Sequence, residues 1–261
     1  MSLSIILPIY NAQEFILDSL RKLVELLEKI QTDEIQIILV NDGSIDNTLE
    51  KINEFINSYS GVIKFDLVSY EKNRNIGFAI KKGIEKVRNE IVIIMDCDLP
   101  FKLDIINESL RLIDSCDLVS VDRTKRRESY NVGIFRFLLH RGLIFIIKVM
   151  FGKYIKGIDD FVAGFKVIKR DLLDRIRFNL RSDTSLVHFE IILLTQLLNL
   201  KGANYKICFV YPFLNTDTNK LSTYSLPKIL KTVIKILLEL VMMRIELSKS
   251  IRFLNVYYIV F

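Results

Sequence analysis

Four short apolar bursts separated by long amphipathic stretches set the outline of the first 122 residues. Leu3–Leu7, Ile35–Val40, Ile63–Val68 and Ile91–Met95 are rich in Ile and Val, with the length and β-branching of strands buried on both faces. Between them the period changes. Glu14–Ile30 places Phe15, Leu20, Leu23, Leu27 and Ile30 at helical spacing, and Ser44–Tyr59 begins with Ser44, Asp46 and Asn47 as candidate caps. Lys102–Ile113 predicts a further helix and Asp117–Val121 a further strand. Parallel neighbours need a crossover and a helix supplies it, so this alternation predicts an α/β domain around a mostly parallel sheet.

After Arg123 the pattern changes. Lys125, Arg126 and Arg127 form a polar run, and the apolar segment Val132–Phe151 is interrupted by Arg136, His140, Arg141 and Lys148. Leu226–Leu247 is punctuated in the same way by Lys228, Lys231, Lys235 and Arg244. A central charge costs about 2.5–3.5 kcal/mol on membrane insertion. Both segments therefore predict basic amphipathic helices lying in an interface rather than spanning it. Met242 and Met243 read as packing filler. Phe253–Phe261 is apolar but far shorter than the roughly 20 residues of a helical span.

The charge follows the same division. Residues 1–122 carry 13 Lys/Arg and 21 Asp/Glu, a net −8, whereas residues 123–261 carry 24 and 10, a net +14. The basic half is expected to meet something anionic. Its cations are interspersed with Ile and Leu, without the aromatic-interleaved patch of a nucleic-acid module, so a membrane surface is the expected partner and nucleic acid is not. Cys97, Cys116 and Cys208 lack paired spacing and predict reduced thiols rather than a disulfide or zinc site. The opening run SLSIILPIY lacks a basic n-region and a cleavage site, and predicts a cytosolic protein.

Three strand ends carry polar residues. Asp96-Cys97-Asp98 follows the apolar run IVIIM, and two carboxylates at i and i+2 beyond a buried parallel strand suit a hard cation such as Mg²⁺ or Mn²⁺. Solvated turn acids and helix caps give the same triplet. In Asn41-Asp42-Gly43-Ser44, Gly43 permits a tight turn and Asp42 is placed to accept hydrogen bonds from a base or ribose, or merely to cap the turn. Asn73-Arg74-Asn75-Ile76-Gly77 precedes a helix whose first N–H groups can face phosphate.

Taken in order, Pro8-Ile9-Tyr10-Asn11, VNDGS, the Asn-Arg-Asn-Ile-Gly turn and MDCDLP resemble the nucleotide-binding half of glycosyltransferase family 2, inverting enzymes of the Rossmann-like GT-A fold. The resemblance implies that Pro8, Tyr10, Glu14 and Asp42, with Gly43 and Asn73, hold the donor nucleotide, and that Asp96 and Asp98 bind the metal bridging to its diphosphate. Asn41 and Asn75 depart from the family, which has Asp and Gly there in many members. Asp160-Phe161-Val162-Ala163-Gly164-Phe165 with Lys169-Arg170 behind, His188-Phe189-Glu190, and Asn219-Lys220-Leu221-Ser222 are similar to segments of polyprenyl-phosphate hexosyltransferases, including the dolichyl-phosphate mannose and glucose synthases.

That similarity implies a GDP- or UDP-hexose donor and a polyprenyl (dolichyl) phosphate acceptor at the cytoplasmic membrane face. Asp160 is then placed near the donor sugar, and Arg123, Arg136 and Lys220 near the acceptor phosphate. Asp98, Asp160 and Arg123 are the expected catalytic groups, while His140 is expected at a surface. The implied division is a nucleotide-sugar half at 1–122, an acceptor half of the same domain at 123–225, and an interface helix with its apolar tail at 226–261. A phosphate oxygen is already largely anionic at neutral pH and needs no base. An enzyme extending a glycan hydroxyl would need one, and Asp159, Asp160 or Glu190 are the candidates.

Overall fold

A computed structural model describes residues 1–123, 134–155, 157–213 and 226–257, with side-chain surroundings outside the description at 134–138, 140, 226–230 and 249–257. Lys125, Arg126, Arg127, Lys220 and the side chains of Arg136 and His140 thus lie outside the described residues. The chain divides into two compact units, Met1–Ser129 with Asp159–Asn219, and Tyr130–Ile158 with Lys220–Phe261. Each is therefore discontinuous in sequence.

The first unit is built on one sheet. Its strands are β1 (Ser2–Ile9), β2 (Glu34–Asp42), β3 (Lys64–Tyr70), β4 (Ile91–Ile94), β5 (Leu118–Val121), β6 (Lys166–Lys169) and β7 (Ile207–Val210), in the order β3-β2-β1-β4-β6-β5-β7. β6 alone runs antiparallel to its neighbours β4 and β5. The sheet is thus mostly parallel, as the alternation predicted, and the carboxyl ends of β1, β2, β4 and β5 share one edge with the start of β6.

Helices α1 (Ile16–Leu27), α2 (Thr48–Ser58), α3 (Ile76–Ile84) and α4 (Asp104–Ile113) connect the strands, and α6 (Arg170–Ile176) and α7 (Val187–Leu200) follow α5 (Ile134–Phe151), a helix of the second unit. Leu3, Ile5, Leu7 and Ile9 join Leu20 and Leu23 of α1 and Ile106 of α4 in one core. Each such fully buried side chain contributes about 1.5–3 kcal/mol relative to exposure. On the other face Gly83 of α3 lies so close to Ile6 that a Cβ there would collide with it. β3 differs from the expectation of double-sided burial: it is the edge strand and is mostly half-exposed.

The thiols also differ from expectation. Cys116, just before β5, and Cys208 of β7 form a disulfide with Cα atoms 6.1 Å apart, because β5 and β7 are parallel neighbours. The pairing of these strands brings together two residues 92 positions apart, which no local spacing reveals. Cys97 is a free buried thiol.

The second unit holds α5 (Ile134–Phe151) and α8 (Leu226–Tyr257), which contact each other. Leu240, Met243 and Leu247 of α8 are buried. Ile234, Leu237, Leu238, Val241, Met242 and Ile245 recur at i, i+3, i+4, i+7, i+8 and i+11 on the opposite side, and all are exposed. The methionine pair therefore splits: Met243 packs and Met242 faces outward. Lys231 is exposed and Lys235 half-buried near this stripe. Among the described residues no helix is long and apolar enough to cross a membrane.

Candidate active site

The shared strand edge collects most of the residues that the motifs single out. Asp96 and Asp98 lie just beyond β4, beside the end of β1 and next to the switch in strand order where open α/β sheets form a ligand crevice. Asp98 is exposed and Asp96 half-buried. Leu99, which follows, adopts a left-handed φ of 49° while nearly fully buried, a strained conformation for a branched side chain.

Asp96 is packed from above by the 160–165 segment. A Cβ at Gly164 would strike the Asp96 carboxylate, so any larger residue there would displace that side chain. Burial and the like charge of Asp98 push the Asp96 carboxyl up to about 6, against the pull of Arg123 and Lys166. Such crowding of negative charge fits a cation. Among the described residues no group of three or more His, Cys, Asp or Glu side chains is arranged to hold a metal. What the chain presents is two carboxylates, the donor set of an ion that completes its shell with substrate phosphate and water.

Asp160, 1% exposed, receives Arg123 in a forked ion pair: Nε donates to Oδ2 at 2.6 Å, an Nη to Oδ1 at 2.9 Å, and the Arg123 backbone N–H to Oδ2 at 3.2 Å. Burial alone would raise the Asp160 carboxyl, but the Arg123 hydrogen bonds and charge outweigh it and hold it below the ordinary carboxylate value. This makes Asp160 a poor base. Asp159 is exposed beside it. Glu190 is buried and accepts the backbone N–H groups of Arg181 and Ser182 at 2.9–3.0 Å, the geometry of a loop clamp. Lys169 and Arg170 turn to ion pairs with Asp117 and Asp174.

On the nucleotide side, Asp42 ends β2 almost fully buried. Asn73 Nδ2 donates to Asp42 Oδ2 at 2.9 Å and the Arg74 N–H donates to Oδ1 at 2.7 Å. Burial pushes the Asp42 carboxyl up, and the Arg74 and Asn75 N–H groups work the other way. Gly43 has φ 66°, and a Cβ there would meet the Lys72–Asn73 backbone at 2.5 Å, so the two loops interlock only with glycine at this position. Asn41, where many family members carry Asp, uses both ends of its amide: Nδ2 donates to Ser69 at 3.0 Å and Oδ1 accepts the Ser44 N–H. Pro8 is buried within β1, Tyr10 is 39% exposed beyond it, and Glu14 is exposed before α1.

Three features of this edge escaped the sequence. Arg74 lies 3.8 Å over the Phe78 ring, which Tyr70 meets edge-on at 5.4 Å, a cation–aromatic stack beside Asp42. Lys166, the first residue of β6, is fully buried. His188 is also buried, and neither ring nitrogen has a hydrogen-bond partner among the described residues. Burial and the nearby cations Lys166 and Arg123 hold the imidazole well below its usual pKa, so it stays neutral. A buried base of lowered pKa makes folding weaken as pH falls below its unfolded value near 6.5. Over that range stability should fall by about 1.4 kcal/mol per pH unit from this group. Denaturant unfolding of His188→Gln should show that slope removed. An unchanged slope would mean that the imidazole is solvated or paired.

A family model described as glycosyl transferase family 2 matches residues 4–177, more than half of the chain. The dolichol-phosphate mannosyltransferase of Pyrococcus furiosus is 23% identical over 181 residues, covering 69% of this chain and 49% of the relative. The chain thus spans about half the length of that relative. The dolichyl-phosphate beta-glucosyltransferase of Dictyostelium discoideum is 27% identical over 235 residues, covering 85% of this chain and 69% of the relative. Among solved structures, glucosyl-3-phosphoglycerate synthase of Mycobacterium tuberculosis with UDP superposes with TM-score 0.63 at 18% identity, over 93% of this chain and 80% of that one. A mannosyltransferase of Pyrobaculum calidifontis with GDP-Man and Mn²⁺ gives 0.54 at 18% identity, over 80% and 55%. Both share the GT-A fold with this chain. With the family match spanning β1 to β6 and the acids gathered at the strand ends, the chain belongs to glycosyl transferase family 2.

Proposed function

We propose that this chain transfers a hexose, mannose or glucose, from a GDP- or UDP-sugar to a polyprenyl (dolichyl-type) phosphate at the cytoplasmic face of a membrane, with inversion at the anomeric carbon. The observation that carries the reading is the pair Asp96 and Asp98 beyond β4, set against the bare backbone of Gly164 and beside the Asp160–Arg123 pair. The Pyrococcus dolichol-phosphate mannosyltransferase and the Dictyostelium dolichyl-phosphate beta-glucosyltransferase support the acceptor class.

In this reading Pro8, Tyr10, Glu14, Asp42, Gly43 and Asn73 receive the nucleoside, and residues 1–122 are the donor half. Asp96 and Asp98 hold a divalent cation, Mg²⁺ or Mn²⁺, which when bound supplies positive charge to the leaving diphosphate. The acceptor phosphate oxygen attacks C1 of the sugar, the C1–O bond to the nucleoside diphosphate breaks, and no general base is required because the oxygen is already anionic. Arg123, steered by Asp160, faces the acceptor phosphate within the 123–225 half. Arg136 and Lys220 add cations there, as the resemblance implies. Catalysis then rests on holding two anions in line and screening their repulsion. The test is incubation with labelled GDP- and UDP-hexoses, polyprenyl phosphate and Mg²⁺ or Mn²⁺, then lipid extraction. Absence of labelled lipid with every donor would overturn the reading.

Membrane docking rests on the exposed stripe of α8, an apolar face with cations near it, the composition of a helix lying among lipid headgroups. The protein should sediment with anionic liposomes at low salt and be partly released at high salt, since screening removes the charge attraction and leaves apolar burial. Leu238→Asp with Met242→Asp should abolish sedimentation at both salt concentrations. Retention of the double variant on liposomes would place the membrane contact elsewhere.

A further inference from the structure

Lys166 occupies a position where an apolar residue would be expected. It pairs across β6 with Ile94 of β4 and Ser120 of β5, is followed by Val167 and Ile168, and has no solvent exposure. A buried amine needs hydrogen-bond acceptors, because leaving its N–H groups unmet is costly. Here Nζ donates to the Ala163 carbonyl at 2.7 Å and reaches the Phe165 carbonyl at 3.4 Å. Those carbonyls flank Gly164, whose backbone lies against Asp96, and the same segment begins with Asp160, the partner of Arg123. Strands β4 and β5, which Lys166 sits between, lead directly into Asp96 and Arg123. One buried side chain therefore ties the turn to the two strands whose ends it must meet.

We propose that Lys166 is a positioning residue: by donating to the Ala163 and Phe165 carbonyls from inside the sheet, it fixes the 160–165 turn so that Gly164 stays on Asp96 and Asp160 stays on Arg123. The consequence for catalysis rests on the glycosyl-transfer reading of Asp96 and Asp98. The structural claim does not.

Lys166→Met keeps a long unbranched side chain without a donor, and Lys166→Gln keeps a donor without the amine. In protein free of metal and nucleotide, amides 161–165 of Lys166→Met should exchange hydrogen about tenfold faster, the equivalent of about one lost hydrogen bond, while β1 and β2 keep their protection. Lys166→Gln should remain within about threefold of the parent protein. In the transfer assay kcat of Lys166→Met should fall about 10- to 100-fold with KM for the sugar nucleotide little changed, and Gln should recover most of it. Unchanged exchange at 161–165 in Lys166→Met, or an increase spread evenly over the sheet, overturns the proposal. Should Lys166→Met fail to fold, Lys166→Gln decides: loosening of its 161–165 amides overturns the donor role, and protection supports it. A protein with no transfer activity at all would overturn the glycosyl-transfer reading while the exchange measurement still judges Lys166.

Discussion

Asp98→Asn is expected to lower hexose transfer by about 10²–10³-fold at unchanged thermal stability, because the several kcal/mol that a bound cation contributes to a developing charge depend on both carboxylates. Stability should hold since Asp98 is exposed beyond the end of β4. Its charge is in fact unfavourable to Asp96 in the absence of metal: burial and Asp98 together push the Asp96 carboxyl up to about 6. Replacing Asp98 by a neutral amide removes that repulsion, so the metal-free variant should be no less stable than the parent while its Mn²⁺ dependence shifts to higher concentration. Lipid-extractable product measured against Mn²⁺ concentration, beside a melting curve without metal, separates the two effects. A rate within about threefold of the parent together with an unshifted Mn²⁺ dependence would mean that these carboxylates do not hold the ion.

The parts of this molecule that local chemistry dictates were legible, and the parts that depend on distant pairing were not. β1, β2 and β4 announce themselves because central parallel strands are buried on both faces and so become unbroken Ile/Val runs. β6 gives no such signal: it is four residues long, opens and closes with lysine, and exists because β4 and β5 leave a gap that an antiparallel strand fills. β7 hides for a similar reason, being short and only partly buried. The same divide runs through the site. Asp96, Asp98 and Asp42 stand at strand ends that the apolar runs define. Arg123 and Asp160 each draw attention as charges in recognisable segments, but nothing in the sequence says that they bond to each other across 37 positions. Nor does a lysine after Gly164-Phe165 look buried. The disulfide is the extreme case, its two halves joined only by the adjacency of β5 and β7.

The pairing of Arg123 with Asp160 changes what a substitution there should do. Read as an acceptor-phosphate ligand alone, Arg123 could be truncated with loss of lipid-phosphate use and little else. In the fold, Arg123→Ala strips the two guanidinium bonds from a carboxylate that is 1% exposed and leaves it only the backbone N–H. Removing one partner of a buried pair typically costs about 3–5 kcal/mol, since the remaining charge loses its hydrogen-bonded counter-ion and gains no water in return. The pH dependence fixes the sign. In the parent protein Asp160 is held below its ordinary pKa, so its contribution to stability is present above the unfolded value near 3.8 and lost as pH falls through the lower folded value. Without Arg123, burial is opposed chiefly by the charge of Lys166, and the Asp160 carboxyl rises relative to the parent protein. The variant's deficit should then be largest at pH 7–8 and shrink on acidification, as the stranded carboxylate takes up a proton. Asp160→Asn, which leaves behind a guanidinium that is 23% exposed rather than a fully buried carboxylate, should be milder than Arg123→Ala at neutral pH and show no such recovery in acid. Denaturant titrations at pH 5 and pH 8 check both. Equal stability of Arg123→Ala and the parent protein at pH 8 would show that the pair contributes nothing to the fold and would return Arg123 to the acceptor site alone.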